Sequence, residues 1–172
     1  MLVTTLGAGD YILLGADVRV HFDHKVDKDT LAIAIEAPKE FSVLRKKLIE
    51  KGATPKPRTV VINPEYSRLL VTLNANEDYV MIGDDITIKH KGNKGHSFSI
   101  GIAAPKDVKI TRKSVYEEKV EKMALAGDAS AQKLIGILKE QNEERRKISA
   151  QRQAKQQRYK SNHIKNKDRN IV

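Results

Sequence analysis

Two arginines, Arg45 and Arg112, close two copies of one stretch of chain. Residues 31–46 read Leu-Ala-Ile-Ala-Ile-Glu-Ala-Pro-Lys-Glu-Phe-Ser-Val-Leu-Arg-Lys. Residues 98–113 read Phe-Ser-Ile-Gly-Ile-Ala-Ala-Pro-Lys-Asp-Val-Lys-Ile-Thr-Arg-Lys. Lys39 and Lys106 each stand six residues ahead of their arginine. An ammonium and a guanidinium so placed suit recognition of an anion or a polar edge by charge-assisted hydrogen bonds. On residue type alone, both arginines equally suit the surface end of a sheet, and a Pro-Lys turn is usually exposed.

A second cationic set lies at the C-terminal end. Residues 145–172 hold ten Lys/Arg, including Arg145, Arg146, Lys147, Arg152, Lys155 and Arg158, against one acid, Asp168. The 144 residues before them carry 22 basic and 21 acidic side chains, so nearly all of the +10 net charge sits in the tail. Such a tail favours a polyanion, by releasing counterions condensed on phosphates.

Catalytic chemistry finds little support. His21, His24, His90 and His96 lack a third ligand at sensible spacing, there is no cysteine, and neither a metal nor a cofactor is expected. Gly7-Ala8-Gly9 opens no helix, so it is not a phosphate-binding loop. Asp84-Asp85 fits a hairpin turn, and Tyr11 and Tyr79 read as strand packing. No nucleophile-base set can be assembled, so an enzyme is not expected. With 5% aromatic residues, a base-stacking platform is not expected either.

The elements that must position these cations come in duplicate. Ahead of the matched stretches lie Asp10–Val20 and Asp78–Ile88, offset by 68 positions, whereas the stretches themselves are offset by 67. One residue was therefore lost between them, as in a hairpin turn. Strands are predicted at Leu2–Leu6, Tyr11–Leu14, Val18–Phe22, Leu31–Glu36 (ended by Pro38) and Phe41–Leu44, then a helical turn over Arg45–Lys51 closed by Gly52. The second set is Leu69–Leu73, Tyr79–Ile82, Ile86–His90, Phe98–Ile102 and Val108–Thr111. A helix follows over Ser114–Ala126, with Val115, Val120 and Met123 toward one side. Asp128 or Ser130 caps the next helix, which beyond Ser149 is basic, almost without an apolar stripe, and expected to be partly disordered alone. The domains expected are 1–52 and 68–127, a proline-stiffened linker over 53–67 whose Val60–Ile62 run forms an extra strand or lies on the sheet, and a basic helical tail over 128–172. A unit of about 50 residues is marginal alone, so the two copies are expected to bury their strands against each other. No apolar run reaches the roughly 20 residues of a membrane span, so a cytoplasmic protein is expected.

This pattern resembles the carbon storage regulator family. Residues 69–126 carry the likeness through Met81-Ile-Gly-Asp-Asp-Ile86 and Ala103-Ala-Pro-Lys-Asp-Val108. Residues 1–51 carry it again through Met1-Leu-Val3, Leu14-Gly15 and Glu36-Ala-Pro-Lys-Glu40. The resemblance implies five-stranded units that interleave, the first and last strands of one pairing into the other's sheet. A tandem chain would thus form an intramolecular pseudo-dimer, mainly β as a barrel or sandwich, with C-terminal helices and a long basic helix.

The family binds GGA in messenger RNA loops and leaders, in a groove between the first strand of one unit and the fifth-strand end of the other. The likeness places Arg45 and Arg112 at the fifth-strand arginine and Val43 and Ile110 two residues before it. Ala37-Pro38-Lys39 and Ala104-Pro105-Lys106 fall at the base-reading loop. In the first strand the family carries Leu-Thr-Arg. Here the corresponding trios read Thr4-Thr5-Leu6 and Thr72-Leu73-Asn74, from which Thr4, Leu6, Thr72 and Asn74 are candidate RNA contacts, the arginine missing from both. The implied function is noncatalytic RNA binding that modulates translation or messenger stability, as a monomer. The alternative is a protein-interaction module with a degenerate groove, its tail docking on a ribosome, an RNA assembly or an acidic protein, or a decoy pairing with a true family member.

Overall fold

The computed structural model describes residues 1–59, 61, 62, 64–140, 142–144, 147 and 151. Two compact units emerge, a β body over residues 1–116 and a helical unit beginning at Glu117. In the first copy, β1 (Leu2–Gly7), β2 (Tyr11–Leu14), β3 (Val18–Lys25), β4 (Thr30–Pro38) and β5 (Val43–Arg45) lead into a short helix, α1 (Lys46–Glu50). In the second, β6 (Tyr66–Asn74), β7 (Tyr79–Ile82), β8 (Ile86–Lys94), β9 (Ser97–Ala103) and β10 (Ile110–Arg112) lead into α2 (Lys113–Leu125).

All ladders are antiparallel, in two five-stranded sheets ordered β1-β9-β8-β7-β5 and β10-β2-β3-β4-β6. Each sheet is a three-stranded meander of one copy, flanked by the first and last strands of the other. The expected interleaving is therefore realised within one chain. It answers a definite problem, since a three-stranded meander alone leaves unpaired N–H and C=O groups on both edges.

Period-2 patterning puts the core where the strands predict it. Val18, Val20 and Phe22 of β3, Ile33 and Ile35 of β4, Ile86 and Ile88 of β8, and Ile100 and Ile102 of β9 are all buried in one cluster drawn from both sheets. Both copies also carry a bulge at the same place, between Phe22 and His24 and between His90 and Gly92. His90 occupies the core position held by Phe22 in the first copy. Its polar ring lies within hydrogen-bond distance of two acceptor oxygens, Nδ1 3.2 Å from the Leu73 carbonyl and Nε2 2.9 Å from Asn93 Oδ1, and whichever ring nitrogen carries the proton donates to its neighbour.

Several boundaries differ from expectation. Pro38 closes β4 as its last residue, as an edge-type position without an N–H to donate allows. The fifth strands begin two residues late, because turns closed by Phe41 N–H to the Pro38 carbonyl (3.0 Å) and Val108 N–H to the Pro105 carbonyl (3.1 Å) keep Phe41 and Val108 out of the ladder. Both side chains instead plug into the core. Val60 lies outside the described residues. Val61 packs against the core and Ile62 is exposed, and among the described residues this run forms no strand.

In the helical unit, Val120 and Ala124 of α2 are buried, while Val115 and Met123 are exposed. Val115 lies five residues from Val120, about 140° round the helix, which takes it off the buried stripe. Asp128 caps a following helix, 129–140, accepting from the Ala131 N–H at 3.0 Å. Gln132 Nε2 donates to the Ala124 carbonyl (3.2 Å) and Asn142 Nδ2 to Glu117 Oε1 (3.2 Å), tying the two helices. Among the described residues no helix is long and apolar enough to cross a membrane.

The segment joining the copies is fastened to the β body. Lys56 N–H donates to Ser42 Oγ at 3.0 Å, and Arg58 makes a two-pronged contact to Asp85, Nε to Oδ1 at 2.8 Å and Nη2 to Oδ2 at 2.7 Å. Gly83, at φ 64°, lies under the Arg58 stem, where a Cβ would collide with it. The Arg58 hydrogen bonds hold the Asp85 carboxyl below its usual range against the upward push of partial burial. A depressed carboxylate stabilises the fold above its unfolded pKa and loses that contribution as pH falls through the folded value. Asp85→Asn is thus expected to lower stability by about 1 kcal/mol at pH 7. Urea unfolding should show the gap to wild type closing as pH drops below about 4.

Candidate nucleic-acid interface

Each of the two matched arginines ends a three-residue strand at a sheet edge and stands immediately before a helix. The turn that begins at Pro38 or Pro105, anchored by buried Phe41 or Val108, brings the chain back to the body so that this edge strand forms. β5 edges one sheet and β6 the other, and the Arg45 side chain bridges them. Its Nη2 donates to the Leu70 carbonyl at 3.0 Å. The repeat relation sets β10 and β1 as the counterpart pair. The counterpart of that bond, Arg112 to the Val3 carbonyl, is not made. Arg112 is exposed and has no polar partner among the described residues.

The other predicted contacts fall into distinct environments. Lys39 is exposed and paired with Glu65, Nζ to Oε2 at 2.7 Å, while its backbone N–H donates to the Glu65 carbonyl at 2.8 Å. Lys106 is exposed and unpaired among the described residues. Ala37 and Pro38 are buried, and Ala104 and Pro105 half-buried, so in the first copy these loop residues have little beyond backbone to offer. Val43 and Ile110 are half-buried against the core. Thr72 and Asn74 are exposed on β6, where Asn74 Oδ1 accepts from Thr30 Oγ1 at 2.9 Å. Lys147 is exposed and helical, whereas Arg145, Arg146, Arg152, Lys155 and Arg158 lie outside the described residues.

Strand register corrects the first-strand comparison. Leu6 faces Phe98 and Leu73 faces Leu31, and Phe98 and Leu31 are equivalent positions of the repeat. The trio Thr4-Thr5-Leu6 therefore corresponds to Val71-Thr72-Leu73, and not to Thr72-Leu73-Asn74. The mismatch arises because the turn between β6 and β7 holds one more residue than that between β1 and β2. The third position is then leucine in both copies, buried each time, and the middle threonines, Thr5 and Thr72, both face solvent. Thr5 was not among the residues singled out from sequence, although alternation from buried Leu6 marks it as outward-facing.

Nearby charges are largely committed to one another. Arg68 of β6 lies 3.3 Å from Glu36 of β4, which also contacts buried His21 at 3.1 Å. Burial pushes the Glu36 carboxyl up, but the His21 hydrogen bond and the charges of His21, Arg68 and Arg19 outweigh it and hold it below its usual range. The Tyr11 ring is buried with Arg19 5.2 Å and Lys113 5.9 Å from its centroid. Among the described residues no group of three or more His, Cys, Asp or Glu could hold a metal ion.

Two five-stranded copies that exchange their first and last strands define a strand-swapped double module built from one repeat. A family model described as the CsrA global regulator protein family matches residues 1–53 and again residues 69–121. The chain belongs to that family, with two copies in one polypeptide. It is 38% identical over 71 residues to the translational regulator CsrA of Thermotoga petrophila, covering 41% of this chain and 86% of that protein. It is 42% identical over 60 residues to the namesake of Thermosipho africanus, covering 35% and 82%. For that of Alkaliphilus metalliredigens the values are 40% over 60 residues, covering 35% and 80%. No solved structure gives a significant match.

Thr4 has a structural consequence of its own. Its side chain is buried, and Oγ1 finds no hydrogen-bond partner among the described residues. The equivalent position in the second copy is Val71, also buried. Thr4→Val removes a desolvated hydroxyl at constant shape and is expected to stabilise the protein by about 1 kcal/mol, read as a raised midpoint in thermal unfolding.

Proposed function

We propose that this chain is a noncatalytic RNA-binding regulator, acting in the cytoplasm on exposed loops of messenger RNA and so modulating translation or messenger stability. One polypeptide plays the part of a dimer, and the binding surface is the seam where a fifth-strand arginine of one copy faces the first strand of the other. The observation carrying this reading is Arg45 reaching across from β5 to the backbone of β6, which shows a guanidinium held at the junction of two sheet edges. Splayed bases suit such a place, since backbone groups on an edge and a neighbouring cation offer polar contacts to Watson–Crick edges and phosphates. Leu6 and Leu73, at the position where the family pattern has arginine, leave each seam one charged contact poorer, so the preference for GGA is relaxed and not abolished.

A gel shift with a GGA-loop hairpin and a scrambled-loop hairpin tests this. Wild type is expected to favour the GGA loop by about fivefold or more, and Arg45→Ala/Arg112→Ala to lose at least tenfold in affinity, the scale of removing charge-assisted contacts. Equal binding of both hairpins, untouched by the double change, would refute a seam-based site.

The basic tail supplies the sequence-independent part of the affinity in this reading. Reversing Arg145, Arg146 and Lys147 to glutamate is expected to weaken binding and flatten the plot of log affinity against log salt by roughly two units. An unchanged slope would remove the tail from the mechanism.

A further inference from the structure

The two seams are related by the repeat, yet the chain treats them differently. At the β5–β6 seam Arg45, Lys39 and Ser42 already have partners from the chain itself. Arg45 is spent on the Leu70 carbonyl at 3.0 Å. The backbone N–H of Lys39, in the loop ahead of β5, is spent on the Glu65 carbonyl at 2.8 Å, and its ammonium on the Glu65 carboxylate at 2.7 Å. Ser42, in the same loop, is held by Lys56, accepting from its N–H at 3.0 Å and donating to its carbonyl at 3.3 Å. Glu65 and Lys56 both belong to the segment joining the copies.

At the β1–β10 seam the corresponding groups are uncommitted. Arg112 and Lys106 are exposed, and among the described residues neither the Arg112 side chain nor the Lys106 backbone or side chain has a polar partner. Lys109, the counterpart of Ser42, is exposed and has no such tether among the described residues. The cause is connectivity. The chain must travel from the end of α1 to the start of β6, and the route pinned by Lys56, Arg58 and Glu65 passes the loop ahead of β5. Among the described residues no segment tethers the loop ahead of β10 in the same way.

We propose that the protein offers one open RNA site, the β1–β10 seam with Arg112 and Lys106, and that the β5–β6 seam is closed by the joining segment acting as a built-in competitor. The proposal rests on the RNA-binding reading above. RNA entering the closed seam must displace the Arg45 bond and both Lys39 contacts. The Lys39–Glu65 ion pair is highly exposed, 58% and 76% at the side chains, and holds weakly alone. Displacing it together with two hydrogen bonds disfavours that seam on the order of 100-fold.

Native mass spectrometry and calorimetric titration of the full chain with the GGA-loop hairpin test the idea. One RNA per chain is expected at concentrations that saturate the first site, with Arg112→Ala losing at least tenfold in affinity and Arg45→Ala losing at least threefold less than Arg112→Ala. Arg112→Lys, which keeps the charge, serves as a second variant and is expected to fall between wild type and Arg112→Ala. Two RNAs bound with equal affinity, or equal losses for the two alanine variants, would overturn the asymmetry while leaving RNA binding intact. Absence of loop-dependent binding by wild type would overturn both.

Discussion

Everything in the β body depends on the completion of sheet edges. A meander such as β2-β3-β4 buries one face through residues such as Val20, Phe22, Ile33 and Ile35, but alone it would leave both flanks as open rows of backbone donors and acceptors. β6 and β10 fill those flanks, and β1 and β5 do the same for β7-β8-β9. Because donor and acceptor strands lie on one chain, pairing is intramolecular and independent of protein concentration, an effective-concentration gain that costs only a linker. The β5–β6 seam exists for the same reason, since there the edge strands of two different sheets come within reach of one side chain, Arg45.

Covalent fusion breaks the twofold equivalence that two separate chains would keep. The joining segment can run along only one side, and it does so with specific anchors. Arg58 grips the β7–β8 turn through Asp85, with the charges of Asp107 and Asp17 adding to its hold. The core has diverged in parallel, with His90 and its hydrogen-bonding ring where the first copy keeps Phe22. Such differences are unavailable to a symmetric dimer, in which each substitution falls on both sides at once.

Much of this was legible in the sequence because duplication and alternation are local signals. Val18, Val20 and Phe22 against Arg19 and His21 announce a strand with one face inward, and the repeated Ala-Pro-Lys turn announces its partner strand. What escaped reading depends on contacts remote in sequence. Phe41 looks like a strand residue until the turn to Pro38 is seen to pull it out of the ladder. The equivalence of Leu6 and Leu73 became clear only from their partners across β9 and β4, since the extra residue in the β6–β7 turn mimics a simple offset. The Glu65–Lys39 and Arg45–Leu70 contacts join positions about 25 residues apart and follow no periodicity, so composition and spacing could not forecast a blocked seam.

The pairing of Leu2 with Ile102 also governs how the molecule is born. During synthesis β1 emerges before the other described strands, but β9, with which it pairs, is made about 100 residues later, a wait of roughly 5 to 20 seconds at ordinary elongation rates. Throughout that interval an apolar strand with a bare backbone trails from the ribosome. Nascent-chain protection, or fast collapse of the first meander over its hydrophobic face, thus becomes a requirement of manufacture for a topology that is secure once finished.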